Sequence, residues 1–152
     1  MKRVGDIMNR DVITIDVGAR VGEAIQLMNE HDLHYLPVVE GECLVGIVTD
    51  RELSACRPPL NGDEATLVYA ITLLDRPVHE FMRPQMIAVR VDVELDVAID
   101  ALLQDIVDVV CVVDDHHDLV GVVSNADLLL ALRLERASTS SPGYGERSEL
   151  HA

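Results

Sequence analysis

The sequence predicts an α+β fold made of two β-α-β-β-α repeats packed face to face around a pseudo-twofold axis. Three observations carry that prediction. The chain repeats itself: Val4-Gly5-Asp6-Ile7-Met8 opens one half and Val78-His79-Glu80-Phe81-Met82 the other. With Met8 set on Met82, Ile13 falls on Ile87, Val17 on Val91, Ala24-Ile25 on Ala98-Ile99 and Val38-Val39 on Val112-Val113. One extra residue in the turn Asp114–Asp118 shifts the register once, after which Leu44–Thr49 matches Leu119–Ser124. The period is too long for a solenoid unit and suits a half-domain. Within each half, β-branched runs alternate with one stretch of helical spacing. The composition, 49% apolar and mostly aliphatic, supplies the core of such a fold. The cleft between the halves is the place to look for function.

Asp11–Ile15 is β-branched and reads as the first strand. Val21, Ala24, Ile25 and Met28 then recur at helical spacing, with Gly18 before and His31-Asp32 after. Tyr35–Val39 is the second strand, and Pro37 places it near a sheet edge or a strand start. Glu40-Gly41-Glu42 turns the chain into a third strand, Cys43–Val48, antiparallel because the connection is so short. Thr49-Asp50 caps a short helix through Leu53 and Ala55. In the second half Gln85–Val89 is a strand, Leu95–Gln104 a helix, and Val109–Val113 with Leu119–Val123 a hairpin. Ser124-Asn125 then caps a helix running to about Leu134. First and second strands are joined through a helix, so each such pair should be parallel with a right-handed crossover. The expected organisation is a first repeat over 1–56, a linker with an extra helix over 57–77, a second repeat over 78–134 and a disordered tail over 135–152.

Charge and composition exclude several classes. With 27 acidic against 12 basic side chains the formal net charge is −15, which repels nucleic acid and anionic membranes. Trp is absent and Phe occurs once, so the stacking platform of single-strand binders is missing. No apolar run nears the roughly 20 residues of a membrane span. Met1–Asp6 has no apolar stretch behind its two bases and reads as no secretion signal. Cys43, Cys56 and Cys111 are odd in number without CxxC spacing, which fits a reducing cytoplasm. No metal site is expected. His31 and His34 lack completing ligands and read as solvated histidines at a helix end, and His116-His117 reads as a hairpin turn. No Ser-His-Asp or Cys-His arrangement and no Gly-rich phosphate loop appears, so no enzyme and no cofactor is expected.

The order strand–helix–strand–strand–helix, given twice, resembles a tandem pair of cystathionine-β-synthase (CBS) domains, a Bateman module. The resemblance covers roughly residues 4–56 and 78–132. It rests on Asp-Ile-Met at 6–8, Leu-Pro-Val-Val at 36–39 and Gly-Ile-Val-Thr-Asp-Arg-Glu-Leu at 46–53. In the second half it rests on Phe-Met-Arg-Pro at 81–84 and Gly-Val-Val-Ser-Asn-Ala-Asp-Leu at 121–128. It implies a regulatory, energy-sensing module that binds an adenosyl ligand (AMP, ADP, ATP or S-adenosylmethionine) between the repeats. Such a module passes its signal to a partner protein and commonly dimerises into a flat disc.

In that family a Gly-hydrophobic-x-Thr/Ser-x-x-Asp segment binds ribose and phosphate, and the second half matches it with Gly121, Ser124 and Asp127, followed along the cap by Asn125. An ionised Asp127 is acceptor-only and can take both ribose hydroxyls. Ser124 begins a helix, where free N–H groups favour phosphate, and Gly121 lets backbone approach closely. The first half has Gly46 and Thr49, but Glu52 stands where Asp is usual, and Asp50 adds repulsion that Arg51 can offset. The resemblance places adenine against Ile13, Thr14, Tyr35, Leu36 and Pro37 in one half. In the other the matching positions are Ile87, Ala88, Val109, Val110 and Cys111, with Cys111 for proline and Ala88 for Thr14. The two sites are therefore not equivalent. A structural reading stands beside this one, since Ser124 and Asp127, three apart, also form a capping box, Pro37 and the paired valines suit a core, and Cys111 suits a small buried hydrophobe.

A polyphosphate needs positive charge. The cations expected near the cleft are Arg51, Arg20, Arg90 and Arg133, with Lys2 and Arg3 at the start. The acidic field favours a ligand of low charge such as AMP, although Mg²⁺ would cancel part of the charge of ATP. The alternative function is a structural dimerisation or docking module with vestigial sites. A homodimer is expected through the faces Ala24, Ile25, Leu27, Met28 and Ala98, Ile99, Leu102, Leu103, which exceed what one sheet face covers.

Overall fold

The computed structural model describes residues 2–57, 61–105 and 109–139. The element order is α1 (Val4–Ile7), β1 (Ile15–Asp16), α2 (Val21–His31), β2 (Tyr35–Glu40), β3 (Cys43–Thr49), α3 (Asp50–Leu53) and α4 (Glu64–Leu73), then β4 (Ala88–Arg90), α5 (Leu95–Asp105), β5 (Val109–Val113), β6 (Leu119–Ser124) and α6 (Asn125–Thr139). Single 3₁₀ turns occupy Ser54–Cys56 and Val78–Glu80. Two three-stranded sheets form, ordered β1-β2-β3 and β4-β5-β6. In each, the first two strands are parallel and the last two antiparallel, so the α+β fold is two β-α-β-β-α units.

Each half has its own aliphatic core. In the first, Ile15, Val21, Ala24, Met28, Leu36, Val38 and Val48 pack together, and in the second Leu95, Ala98, Leu102, Val110, Val112 and Val123 do so. A third cluster joins the hairpins: Leu44 and Ile47 pack against Val109, Cys111, Val113 and Val122. The two hairpin turns are also bonded, Leu44 N–H to His117 O and Leu119 N–H to Glu42 O.

The leading segments are exchanged between halves. Val4 and Met8 belong to the second core, and Val78 to the first, with Phe81 and Met82 packed on it. Asn9 bonds both ways with Val122 (2.8 and 3.0 Å), and Arg83 both ways with Ile47 (2.7 and 3.0 Å). Glycine makes this approach achievable. A Cβ at Gly121 would lie 2.6 Å from Met8 Sδ and 3.0 Å from Asn9 O, and one at Gly46 would lie 2.8 Å from Met82 Sδ and 2.9 Å from Arg83 O.

Several expectations need correction. The first strand is β1 at Ile15–Asp16, not Asp11–Ile15, and β2 is the central strand of its sheet rather than an edge. One cause serves both. In the second half Cys111 N–H donates to Ile87 O at 2.8 Å, and β4 already begins at Ala88. Pro37 stands at the Cys111 position and has no N–H to give Ile13, so β1 starts later and Pro37 faces a stretch without ladder bonds. α6 runs five residues past Leu134, to Thr139, because no Gly or Pro occurs before Pro142. The tail expected over 135–152 thus begins as helix, and residues 140–152 lie outside the described residues.

The apolar faces of α2 and α5 are mostly consumed inside the chain. Ala24, Met28, Ala98 and Leu102 are buried, and Ile25, Leu27 and Ile99 half-buried. Among the described residues the exposed large apolar side chains are instead Val97 and Leu103 on α5, Val68, Tyr69 and Ile71 on α4, and Leu129, Leu130, Leu132 and Leu134 on α6. Among the described residues no helix is long and apolar enough to cross a membrane.

Candidate functional site

Exchange of the leading segments brings β2, β3, β5 and the starts of α3 and α6 around one cleft of about 660 Å³. Of the residues expected to bind ligand, Tyr35, Thr49, Asp50, Arg51, Ile87, Val109, Ser124 and Asn125 line it. His34, Ile47, Arg83, Gln85, Met86 and Ala126 line it too and were not anticipated. Arg83, Gln85 and Met86 come from the leading segment of the second half, which lies over the first half. That placement depends on a pairing across 36 residues of sequence, Ile47 to Arg83, that no local pattern announces.

The other expected residues are set back, among them Glu52 and Asp127, which are half-buried behind the lining residues Thr49 and Ser124. Leu36 and Val110 are fully buried in the two cores, and Cys111 in the cluster between the hairpins. Pro37 is buried, and Ile13, Thr14 and Ala88 are half-buried. Gly121 is buried, and the space above it holds Met8 rather than a ligand, so the close approach expected there is made by the protein itself. Burial pushes the Cys111 thiol up to about 12, which keeps it protonated and non-nucleophilic. Tyr35 is also raised above its usual range, first by burial and then by the Cys111 and Asp127 charges.

The helix starts differ. At α3, Thr49 N–H and Thr49 Oγ1 both donate to Glu52 Oε1, at 2.8 and 2.6 Å, and Arg51 N–H donates to Thr49 Oγ1 at 3.2 Å. Glu52 Oε2 lies 3.1 Å from Arg83 Nε in an ion pair, with the Glu52 side chain only 13% exposed. At α6, Ser124 N–H donates to Asp127 Oδ2 at 2.9 Å and Asp127 N–H to Ser124 Oγ at 3.1 Å. Both are reciprocal capping boxes, as the structural reading expects. The Ser124 hydroxyl proton and Asp127 Oδ1 take no part in the α6 box.

The cations are placed otherwise than expected. Arg20 pairs with Asp75 and Arg90 with Asp115, both away from the cleft. Arg51 lines the cleft, and its guanidinium makes no ion pair among the described residues. Asp50 does not stand as a bare repulsive charge. It is held between His34 Nδ1 at 2.7 Å and an Arg57 guanidinium nitrogen at 3.3 Å. No cluster of three or more His, Cys, Asp or Glu suited to a metal occurs among the described residues.

The family model described as "CBS domain" matches residues 4–56 and 78–134. The chain is 30% identical over 128 residues to the CBS domain-containing protein YhcV of Bacillus subtilis, covering 84% of each. It is 28% identical over 144 residues to an inosine-5'-monophosphate dehydrogenase of Methanocaldococcus jannaschii, covering 94% of this chain but spanning only 26% of that enzyme. Among solved structures, CBSX2 in complex with AMP superposes with a TM-score of 0.73 at 26% identity, covering 90% of this chain and all of that one.

Proposed function

Because the chain belongs to the CBS-domain family, as a tandem pair, we propose that it is a regulatory module. It senses adenosine or AMP in the cleft between its repeats and signals to a partner protein. The observation that carries this reading is the α6 start. Asp127 there keeps a carboxylate oxygen, and Ser124 a hydroxyl proton, outside their own capping bonds. Asp127 Oδ1 suits the two hydroxyls of a ribose, and the Ser124 hydroxyl at the positive end of the α6 dipole suits one phosphate. Arg51, which faces the same cleft and has no ion pair among the described residues, adds one positive charge. That amount of charge fits a monophosphate better than a triphosphate. The superposition on a CBS pair solved with AMP supports the same class of ligand. The Thr49–Glu52 cap binds more weakly or not at all.

The module works as a homodimer, in the cytoplasm. The face is formed by the exposed leucines of α6 with Leu103 of α5, since the α2 face is already covered. A purely structural docking module is the second reading, favoured by the closed capping boxes. Calorimetric titration of the full chain with adenosine, AMP, ADP, ATP and S-adenosylmethionine decides between the two. Saturable binding of adenosine or AMP supports the sensor. No heat with any of them at millimolar concentration leaves the docking module. Light scattering at micromolar concentration should give twice the chain mass, and a monomer mass would refute the dimer.

A further inference from the structure

We propose that Arg83 is a built-in counterion that occupies the first-half carboxylate, so that each chain holds one nucleoside site instead of two. The proposal rests on reading the Ser124–Asp127 cap as a nucleoside site, and it explains why its counterpart is silent. In the repeat register Arg83 follows Met82 as Asn9 follows Met8. Both residues hold the same backbone position, bonded both ways to β3 and β6 respectively. Their side chains do different things. The Asn9 amide oxygen accepts from Asp11 N–H at 3.0 Å, a local turn bond without charge. Arg83 Nε reaches Glu52 Oε2 at 3.1 Å.

Glu52 is thereby spent on both oxygens, one on Thr49 and one on Arg83. A ribose hydroxyl seeking this carboxylate must displace a guanidinium, and charge-assisted bonds are roughly twice as strong as neutral ones. Displacement also takes from the buried Nε of Arg83 the one ion-pair partner it has among the described residues, while the rest of that side chain, 42% exposed, keeps water. The backbone of Arg83 is fixed on β3 by both bonds to Ile47, so only its side chain can give way. Asp127 meets no such cation, since Asn9 stands where Arg83 would be. The longer Glu is the side chain that both closes the capping box and meets the arginine. Glu52 and Arg83 therefore act as a matched pair.

Equilibrium dialysis of the full chain with labelled AMP counts the sites. One AMP per chain is expected for the parent, and for Asp127→Ala no site within about tenfold of the parent's affinity. Two are expected for Glu52→Asp with Arg83→Asn, the second within about tenfold of the first in affinity, a difference of about 1.4 kcal/mol. One is expected when Asp127→Ala is added to that pair. Arg83→Lys keeps a positive charge at this position and should stay at one. Should the double variant fail to fold, Arg83→Gln alone gives the same comparison and should show a second, weaker site. One site in a folded double variant, or in a folded Arg83→Gln where the double fails, overturns the proposal, as do two sites in the parent. No binding by the parent with one site in the double variant would keep the Arg83 closure and defeat the reading of Ser124 and Asp127. No binding by either would defeat both.

Discussion

At the start of α3 the carboxylate of Glu52 is enclosed by Thr49 and by an arginine delivered from the other half. At the start of α6 the carboxylate of Asp127, among the described residues, holds its own helix cap and no cation. The two places share a strand, a glycine, a hydroxyl residue and a capping box, so the fold does not separate them. What separates them is one methylene in the acid and the identity of the residue after the leading methionine. A repeat can therefore keep its architecture in both copies while a single inserted cation engages the carboxylate of one copy alone. The practical lesson is that a binding motif in an exchanged repeat should be read together with the leading segment of the other repeat.

The comparison can be broken first at its shared foundation. Gly121→Ala and Gly46→Ala each drive a Cβ into a methionine sulfur and a backbone carbonyl of the exchanged segment. Each should lower stability by about 1–3 kcal/mol, as overpacking does, seen as a fall in the urea midpoint. If one variant is neutral, the two exchanges are not equivalent. The next effect is on the ligand. Asp127→Ala should weaken AMP binding roughly ten- to hundredfold, since a hydrogen bond to a charged group is worth about 1.5–3 kcal/mol. Asp127→Asn keeps an oxygen to cap Ser124 N–H while removing the charge, so it should weaken binding with little loss of stability. Equal losses of stability in the two variants would point to a role in capping alone. Glu52→Gln should change binding hardly at all and cost about 1 kcal/mol of stability, the scale of a partly exposed ion pair.

The smallest expected effect is in the pH profile of the cluster between the hairpins. The Cys111 thiol, raised by burial from 9.0 to about 12, is neutral in the folded chain where the unfolded thiol would ionise. Its contribution to stability is therefore complete below pH 9 and is lost as pH rises from there toward 12. Tyr35, also raised, acts in the same direction. Cys111→Val should flatten the alkaline limb of the denaturation profile, and an unchanged limb would show that the thiol does not titrate with unfolding.

Much of the fold was legible because its signals are local. Tyr35–Val39, Cys43–Val48, Val109–Val113 and Leu119–Val123 are β-branched runs bounded by short turns, and β2, β3, β5 and β6 follow them within a residue. Val21, Ala24 and Met28 give the buried face of α2 directly. What was not legible depends on partners distant in sequence. The late start of β1 is decided by a missing N–H at Pro37. The meeting of Asn9 with Val122 crosses nearly the whole chain, so Gly121 reads as an opening for ligand when it is a seat for Met8. At the site, Ser124, Thr49 and Arg51 were legible as cleft residues from the motif. Arg83 was not, because its sequence neighbours belong to one half and its side chain to the other.

A crystal structure of the full chain with AMP tests the central claim most directly. The account predicts one AMP per chain, its ribose hydroxyls within hydrogen-bond distance of Asp127, its phosphate at Ser124 and Arg51, and the Glu52–Arg83 pair intact. AMP seated on Glu52 with Arg83 displaced, or a cleft that stays empty at saturating AMP, would contradict it.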